Sequence, residues 1–203
     1  MTKRLFDLVF ATAGLIVLCP ILLAIATWVR LDSPGPALFR QERIGRAGRP
    51  FTMLKFRTMR AAPEAGAPLL TAAADARVTL AGRLLRRTKL DELPQLLNVV
   101  RGEMSLVGPR PEVARYVALY PADVRARVLS VRPGITDYAA LLFRDESALL
   151  GTDDPEAVYV STILPRKLEL YERYVAEQSL RTDLRLILRT IGTLVGRERP
   201  DRQ

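Results

Sequence analysis

From Leu8 to Val29 the chain reads LVFATAGLIVLCPILLAIATWV and carries no charge. As a helix rising ~1.5 Å per residue, the run reaches roughly 33 Å, enough to cross a hydrocarbon core if straight. Pro20 lies near its middle. An interior proline removes one helical hydrogen bond and clashes with the preceding turn, so a bend is predicted at Cys19 and Pro20. Lys3 and Arg4 precede the run, and Arg30, Arg40, Arg43, Arg46 and Arg49 follow it. Basic flanks favour the cytoplasmic side, and here both ends claim that side. The pattern predicts a re-entrant helix-break-helix over residues 1–32 that dips into one leaflet and returns. A straight span would place one basic flank on the wrong face. A signal peptide with Ala24-Ile25-Ala26 as its cleavage site is the other alternative.

Beyond the run, Ala37 to Ile44 and Pro50 to Met59 read as two strands joined by the Gly45-Arg46-Ala47-Gly48 turn, a hairpin. Ala61 to Ala76, rich in Ala, Pro and Gly, reads as a loop. Val78 to Arg87 is a predicted helix, and Leu93 to Arg101 a short one with Pro94 in its first turn. Gly102 to Pro111 reads as loop, Glu112 to Leu129 as helix broken at Pro121, and Val131 to Gly134 as a turn. Tyr159 to Glu177 is helical with an interruption at Pro165, followed by a last helix over Ser179 to Val195. There Leu180, Leu184, Ile187, Leu188, Ile191, Leu194 and Val195 form an apolar stripe, and Arg181, Arg185 and Arg189 recur every four residues. That is the pattern of a helix lying in a membrane interface; a surface helix packed on the domain core is the alternative. The expected fold is mainly α with a small β-hairpin. A re-entrant membrane segment (1–32) would carry a compact cytosolic catalytic domain with amphipathic interfacial helices (33–196) and a charged tail (197–203).

Composition narrows the chemistry. The 203 residues carry a net charge of +9 and a sequence pI of about 10.3. Such an excess points to nucleic acid, anionic lipid or phosphorylated substrates. Six Phe, six Tyr and one Trp, with no nucleic-acid-binding motif, argue against nucleic acid. Cys19 is the only cysteine, so no internal disulfide can form, which suits a cytosolic face. The absence of histidine excludes His-type zinc sites, Ser-His-Asp triads and histidine acid–base catalysis. What remains is carboxylates, Lys, Arg, hydroxyls and a hard metal ion bound by oxygen.

These types are concentrated between Lys55 and Pro111, in KFRTM (55–59), RRTKLDELPQLLN (86–98) and MSLVGPRPE (104–112). The adjacent acids Asp91 and Glu92 precede a helix with an early proline. Asp91 could be its N-cap and Glu92 a first-turn charge favoured by the helix dipole. Set beside a helix N-terminus and several arginines, the same pair makes a site for Mg²⁺ and phosphates. Arg110, between two prolines, sits on a stiff backbone suited to a bidentate phosphate grip.

KFRTM, LDELPQLLNVVRGEMSLVGPRP and RPGIT, after a hydrophobic N-terminus with a mid-run proline, closely resemble the bacterial sugar transferases, the monotopic polyprenyl-phosphate phosphoglycosyl transferases. The resemblance extends from Lys3 to about Thr193 and fits the small catalytic type. It implies transfer of a sugar-1-phosphate from a UDP-sugar to polyprenyl (undecaprenyl) phosphate, with release of UMP, as the first membrane step of a glycoconjugate or polysaccharide pathway. It implies Asp91 as the nucleophile of a covalent phosphosugar intermediate. Mg²⁺ would be held by Asp91 and Glu92, and Lys55, Arg57, Arg86 and Arg110 would contact substrate phosphates. It further implies the cytoplasmic face of the bacterial inner membrane, contact with membrane lipid, and downstream glycosyltransferases as partners. Carboxylate attack splits one displacement into two, and a phosphate-monoester acceptor, already ionised, needs no general base. One departure is visible: Asp137 stands in RPGITD where many relatives have Gly and then Trp, so the sugar is left open. The rival reading is a non-enzymatic basic protein that binds a membrane surface or polyprenyl phosphate.

Overall fold

The computed structural model of the chain describes residues 2–60, 75–144, 146–149 and 154–194. The apolar run forms α1, a single helix over Thr2–Asp32 with Pro20 inside it. At 1.5 Å per residue it is about 46 Å long. One stripe of it is covered. Asp7, Ala11, Ile25 and Val29 are buried, and Leu15, Leu18, Leu22 and Ala26 pack partly buried between them. Steps of three and four residues keep these positions on one helix face. The remaining faces expose Leu5, Val9, Phe10, Ile16, Val17, Ile21, Leu23 and Leu31.

Both ends of α1 are tied to the same domain. At the start, Lys3 Nζ donates to the Val107 carbonyl (3.1 Å) and pairs with Asp183. Arg4 donates to the carbonyls of Val99 and Val100, and Asp7 accepts from Ser105 Oγ (3.0 Å) and the Leu106 amide (3.1 Å). At the far end, Arg57 Nη2 donates to the carbonyls of Val29 (3.1 Å) and Ser33 (2.6 Å), and Asp32 accepts from the Ala81 amide. The sequence predicted two arms separated at Cys19 and Pro20; the structure keeps one helix across them. Leu15 and Leu18 before the proline, and Leu22 and Ile25 after it, are packed against the domain, so the helix continues despite the missing hydrogen bond.

The hairpin forms as expected. β1 (Leu38–Ile44) pairs antiparallel with β2 (Pro50–Phe56), with Leu38 opposite Phe56 and Ile44 opposite Pro50. The connecting 3₁₀ turn, Arg46–Gly48, places Ala47 and Gly48 at positive φ. Next comes α2 (Leu80–Thr88), whose N-cap is Thr79; its hydroxyl accepts from the Gly82 amide. A left-handed Lys89 turns the chain into a 3₁₀ turn, Leu90–Glu92, which leads through Pro94 into α3 (Gln95–Arg101). Asn98 bolts α3 to the hairpin: its Oδ1 accepts from the Leu54 amide and its Nδ2 donates to the Thr52 carbonyl.

Two stretches read as loop and turn hold short strands instead. β3 (Ser105–Val107) pairs in parallel with β4 (Gly134–Thr136). At their ends Gly108 and Gly134 let two backbones touch: a Cβ on Gly134 would lie 2.0 Å from the Gly108 nitrogen, and one on Gly108 would lie 2.4 Å from the Arg132 oxygen. Any side chain there would separate the segments. The Glu112 to Leu129 region holds two short helices, α4 (Ala114–Val117) and α5 (Ala122–Val128), divided at Pro121. They are followed by α6 (Tyr138–Leu142), α7 (Glu146–Leu149) and α8 (Pro155–Val158). A π-helical turn, Tyr159–Ile163, then enters α9 (Leu164–Glu177), so Pro165 stands in the first turn of that helix rather than interrupting it.

The last helix, α10 (Leu180–Leu194), turns its small and polar side inward. Thr182, Asp183, Leu186 and Thr193 are buried, while Leu180, Leu184, Leu188, Ile191 and Leu194 are exposed. The main core packs Tyr116, Tyr120, Val128, Tyr159, Ile163, Leu164, Leu168 and Tyr171 together. The mainly helical class with a small hairpin is thus borne out. The loop expected at 61–76 lies, up to residue 74, outside the described residues, as does the charged tail at 197–203.

Candidate active site

Lys89 forces a sharp corner between α2 and the 3₁₀ turn. A non-glycine residue at φ 56 is uncommon, and here it starts the turn from which Asp91 and Glu92, two and three residues on, point inward. Both carboxylates are buried, at 7% and 9% exposure. Asp91 is not an N-cap: neither the 3₁₀ turn nor α3 has a side-chain cap, and the buried Asp91 Oδ1 has no hydrogen-bond partner among the described residues. A buried unpaired carboxylate oxygen is expensive to maintain, which argues against a structural role.

Glu92 has the opposite surroundings. Arg110 donates to both its oxygens, and Lys55 Nζ from β2 lies 3.2 Å from its Oε1. Burial alone would push the Glu92 pKa up, but Arg110 and Lys55 outweigh it and hold the carboxyl well below the usual range. Asp91 goes the other way, raised by burial and by the negative Glu92 beside it. Two adjacent acids are thereby given separate states, one locked as an ion pair and the other left as a poorly solvated carboxylate. Burial draws the Lys55 ammonium down, and Glu92 partly offsets this.

Arg110 is set in place by its backbone as well. The Gly108–Gly134 contact brings Pro109 and Arg110 alongside the end of β4. There the Arg110 amide donates to Asp137 Oδ2 (3.0 Å) while Asp137 Oδ1 caps α6 through the Ala140 amide (2.6 Å). Asp137 is fully buried, and that burial raises its pKa to about 6.

A single cleft contains all of these groups. Asp91, Glu92, Lys55, Arg57, Arg86 and Arg110 line it. Lys55 and Arg110 converge on Glu92. Arg86 donates to Thr58 Oγ1 (2.9 Å) and lies within electrostatic reach of Asp91. Arg57 faces the cleft but spends its Nη2 on the carbonyls of Val29, in the last turn of α1, and Ser33, just past it, so it joins the apolar helix to the site. Cys19 and Pro20 are exposed on the face of α1 turned away from the domain. Sequence reasoning passed over Glu112, Tyr159, Lys167 and Tyr171, which line the same cleft beyond Arg110. The available signals were Glu112, two residues after Arg110, and the four-residue spacing of Lys167 and Tyr171 on α9.

The chemistry of the donor set suits a magnesium ion. Asp91 Oδ1 is an unpartnered hard oxygen, Glu92 is adjacent, and Mg²⁺ is commonly held by one or two carboxylates with the rest of its shell from phosphates and water.

A mainly helical domain bound along an apolar N-terminal helix, with a buried acid pair and converging cations in its cleft, defines a membrane-associated protein with a charged cleft. The chain belongs to the bacterial sugar transferase family, whose profile matches residues 1–197. It is 39% identical over 197 residues to a UDP-glucose:undecaprenyl-phosphate glucose-1-phosphate transferase of Caulobacter vibrioides, covering 96% of this chain and 70% of that protein. A protein of the same name from Escherichia coli K12 is 37% identical over 194 residues, 94% of this chain and 39% of the relative. A UDP-N-acetylgalactosamine-undecaprenyl-phosphate N-acetylgalactosaminephosphotransferase of Aeromonas hydrophila is 33% identical over 195 residues, 95% of this chain and 43% of the relative. The chain thus spans about two-fifths of the length of the latter two.

Proposed function

We propose that the chain transfers a sugar-1-phosphate from a UDP-sugar to polyprenyl phosphate, releasing UMP. The observation that carries this reading is the buried, unpartnered oxygen of Asp91 beside an ion-paired Glu92, in a cleft lined by cations. The names of the relatives support both substrates. An Asp91 oxygen attacks the phosphorus that bears the sugar; the bond from that phosphorus to the bridging oxygen breaks, and UMP leaves with the electron pair. An oxygen of the acceptor phosphate then attacks the same phosphorus and displaces the Asp91 carboxylate. The product is a polyprenyl diphosphate-sugar. Neither half needs a proton removed from its nucleophile, so a chain without histidine can carry out both.

Lys55, Arg86 and Arg110 orient and neutralise the diphosphate, with Arg57 at the edge of the membrane helix. Mg²⁺, when bound, would be held by Asp91 and Glu92 and would supply charge neutralisation at the diphosphate. The environment of Asp91 favours attack, because a carboxylate stripped of water is a stronger nucleophile than one in solution.

In this reading the site lies at the cytoplasmic surface of the inner membrane, and the attachment of α1 supports it. Both ends of α1 are fixed to one domain, by Lys3, Arg4 and Asp7 at the start and by Arg57 and Asp32 at the end. A helix crossing the bilayer would carry one of those ends to the opposite side. A re-entrant course for α1 within one leaflet keeps both on the cytoplasmic side, and the exposed leucines of α10 suit the lipid interface. Downstream glycosyltransferases would extend the product.

The decisive experiment uses purified protein with Mg²⁺, a panel of UDP-sugars and undecaprenyl phosphate, and follows UMP release and the mass of the protein. The wild type should release UMP and, without acceptor, gain the mass of one sugar phosphate. Asp91→Asn should do neither while keeping its fold. Turnover by Asp91→Asn near the wild-type rate would remove Asp91 from the mechanism.

A further inference from the structure

Many cations of the cleft are already committed. Lys55 and Arg110 pair with Glu92, Arg86 bonds Thr58, Arg57 holds the end of α1, and Arg43 pairs with Glu112. Lys89 lines the same cleft and is partly exposed, yet its ammonium has no hydrogen bond or ion pair among the described residues. It stands two residues before Asp91 in the chain. Lys55, Lys89 and Arg110 each exert their charge on both Asp91 and Glu92. Of these three, Lys89 is the one whose head group is free to move.

Lys89 also occupies a costly place. It closes α2 at φ 56 and ψ 16, in the left-handed region where glycine is the usual residue and a Cβ is penalised. Ala47 is the only other non-glycine residue at positive φ among the described residues. A cation at a helix C-terminus offsets the dipole, but Arg86 and Arg87 already supply two in the last turn. Neither the corner nor the helix end therefore accounts for a lysine. Strained backbone of this kind clusters at functional sites.

We infer that Lys89 binds a non-bridging oxygen of the phosphoryl group that passes through Asp91, and stays with that group in both displacements. The assignment rests on the phosphoglycosyl-transfer reading and deepens it. In the first displacement the Asp91 carboxylate approaches an anionic diphosphate. In the second, an anionic acceptor phosphate approaches a phosphorus that still bears a negative oxygen. Both steps bring like charges together, so a cation on the transferred group assists each. Lys55 and Arg110 can help only from where Glu92 holds them, because drawing either away would weaken the pairing of a buried anion. Lys89 has no such tie. Its compact charge, with three donors on a flexible four-carbon stem, can follow oxygens that shift as the phosphorus inverts.

The test separates the two half-reactions in wild type, Lys89→Met, Lys89→Arg and Lys89→Gly. Purified protein with Mg²⁺ and an accepted UDP-sugar is followed by mass as it gains one sugar phosphate. The loaded protein, freed of donor, is then given undecaprenyl phosphate and followed as it is discharged. Lys89→Met and Lys89→Gly should slow both halves about 10- to 100-fold, the effect of one charge-assisted hydrogen bond. Lys89→Arg should restore most of both rates, and Lys89→Gly should hold or raise Tm, because glycine relieves the left-handed corner. Unchanged rates in Lys89→Met would overturn the assignment. So would a loss confined to loading, which would put Lys89 on the departing UMP, or one confined to discharge, which would put it on the acceptor. A Lys89→Arg protein as slow as Lys89→Met, or a Lys89→Gly protein melting below wild type, would make Lys89 a residue of the corner instead. A wild type that no UDP-sugar loads would overturn the transfer reaction itself.

Discussion

Replacing Arg110 by Met takes both guanidinium contacts from Glu92 and leaves that carboxylate with Lys55 alone, at 3.2 Å. Glu92 is 9% exposed and cannot regain its lost partner from water. Removing one member of a buried ion pair costs about 3–5 kcal/mol, and the remaining lysine sets the expectation at the lower end, about 3 kcal/mol. In a chain of this size each kcal/mol moves Tm by about 2–4 °C, so a fall of roughly 6–12 °C is expected. Glu92→Gln strands the two cations instead and should also destabilise. The double variant Arg110→Met/Glu92→Gln contains neither a stranded anion nor a facing guanidinium, and it should regain more than half of the stability lost by Arg110→Met. Thermal unfolding of all four proteins in one detergent at neutral pH, with UMP release measured in parallel, separates the two roles of the pair. All three variants should be poor catalysts, but only the single ones should be markedly unstable. An Arg110→Met protein melting within about 2 °C of wild type, or simple additivity in the double variant, would refute the claim that these cations hold Glu92 as a buried anion.

Other expectations follow from the same geometry. A Cβ on Gly82 would lie 2.0 Å from the Thr58 carbonyl oxygen, so Gly82→Ala must push α2 off the end of the hairpin and break the Arg86–Thr58 bond. Donor KM should rise although Gly82 itself touches no substrate, and unchanged donor kinetics would disconnect Arg86 from the donor. Asp137, raised from 3.8 to about 6, binds a proton in the folded chain that the unfolded chain has released, so stability falls as pH rises from about 4 to 6. The change is about 3 kcal/mol from this one group. It should vanish in Asp137→Asn, and a stability difference between the two proteins that stays flat from pH 4 to 7 would contradict the assignment. With Cys19 replaced by Ser, single cysteines at positions 2 and 40 should react with impermeant reagents only from the cytoplasmic side; periplasmic labelling at position 2 would establish a spanning helix.

The readable features of the sequence were local ones. Strand-forming runs on either side of Gly45-Arg46-Ala47-Gly48 gave the hairpin, the LDELPQ block pointed to the acid pair, and the flanking prolines of GPRP pointed to Arg110. The structure adds what depends on distant partners. β3 and β4 are three residues each and owe their pairing to Gly108 meeting Gly134, a contact between segments that read separately as loop and turn. The continuity of α1 through Pro20 comes from packing against α3, β2 and α2, which proline chemistry alone does not contain. Arg57, Arg86 and Lys55 look equivalent as basic residues near one motif. Only the fold separates a side chain that closes the end of α1 from one that reaches toward Asp91 and one that pairs with Glu92. Asp137 stood out as a departure, and its two amide contacts supply the reason.

The attachment of α1 has a consequence for the order of events during synthesis. The apolar helix leaves the ribosome well before the groups that receive its opening residues: Val99 and Ser105 lie 95 and 98 positions after their partners, and Asp183 lies 180 after Lys3. Until that last helix has emerged, the clamp on the N-terminus cannot close. The nascent chain therefore has to keep a water-insoluble segment out of trouble while these 180 residues are made, either on the membrane surface or in the care of a chaperone. A product truncated before Asp183 would therefore reach the membrane without the ion pair that holds Lys3 against the domain.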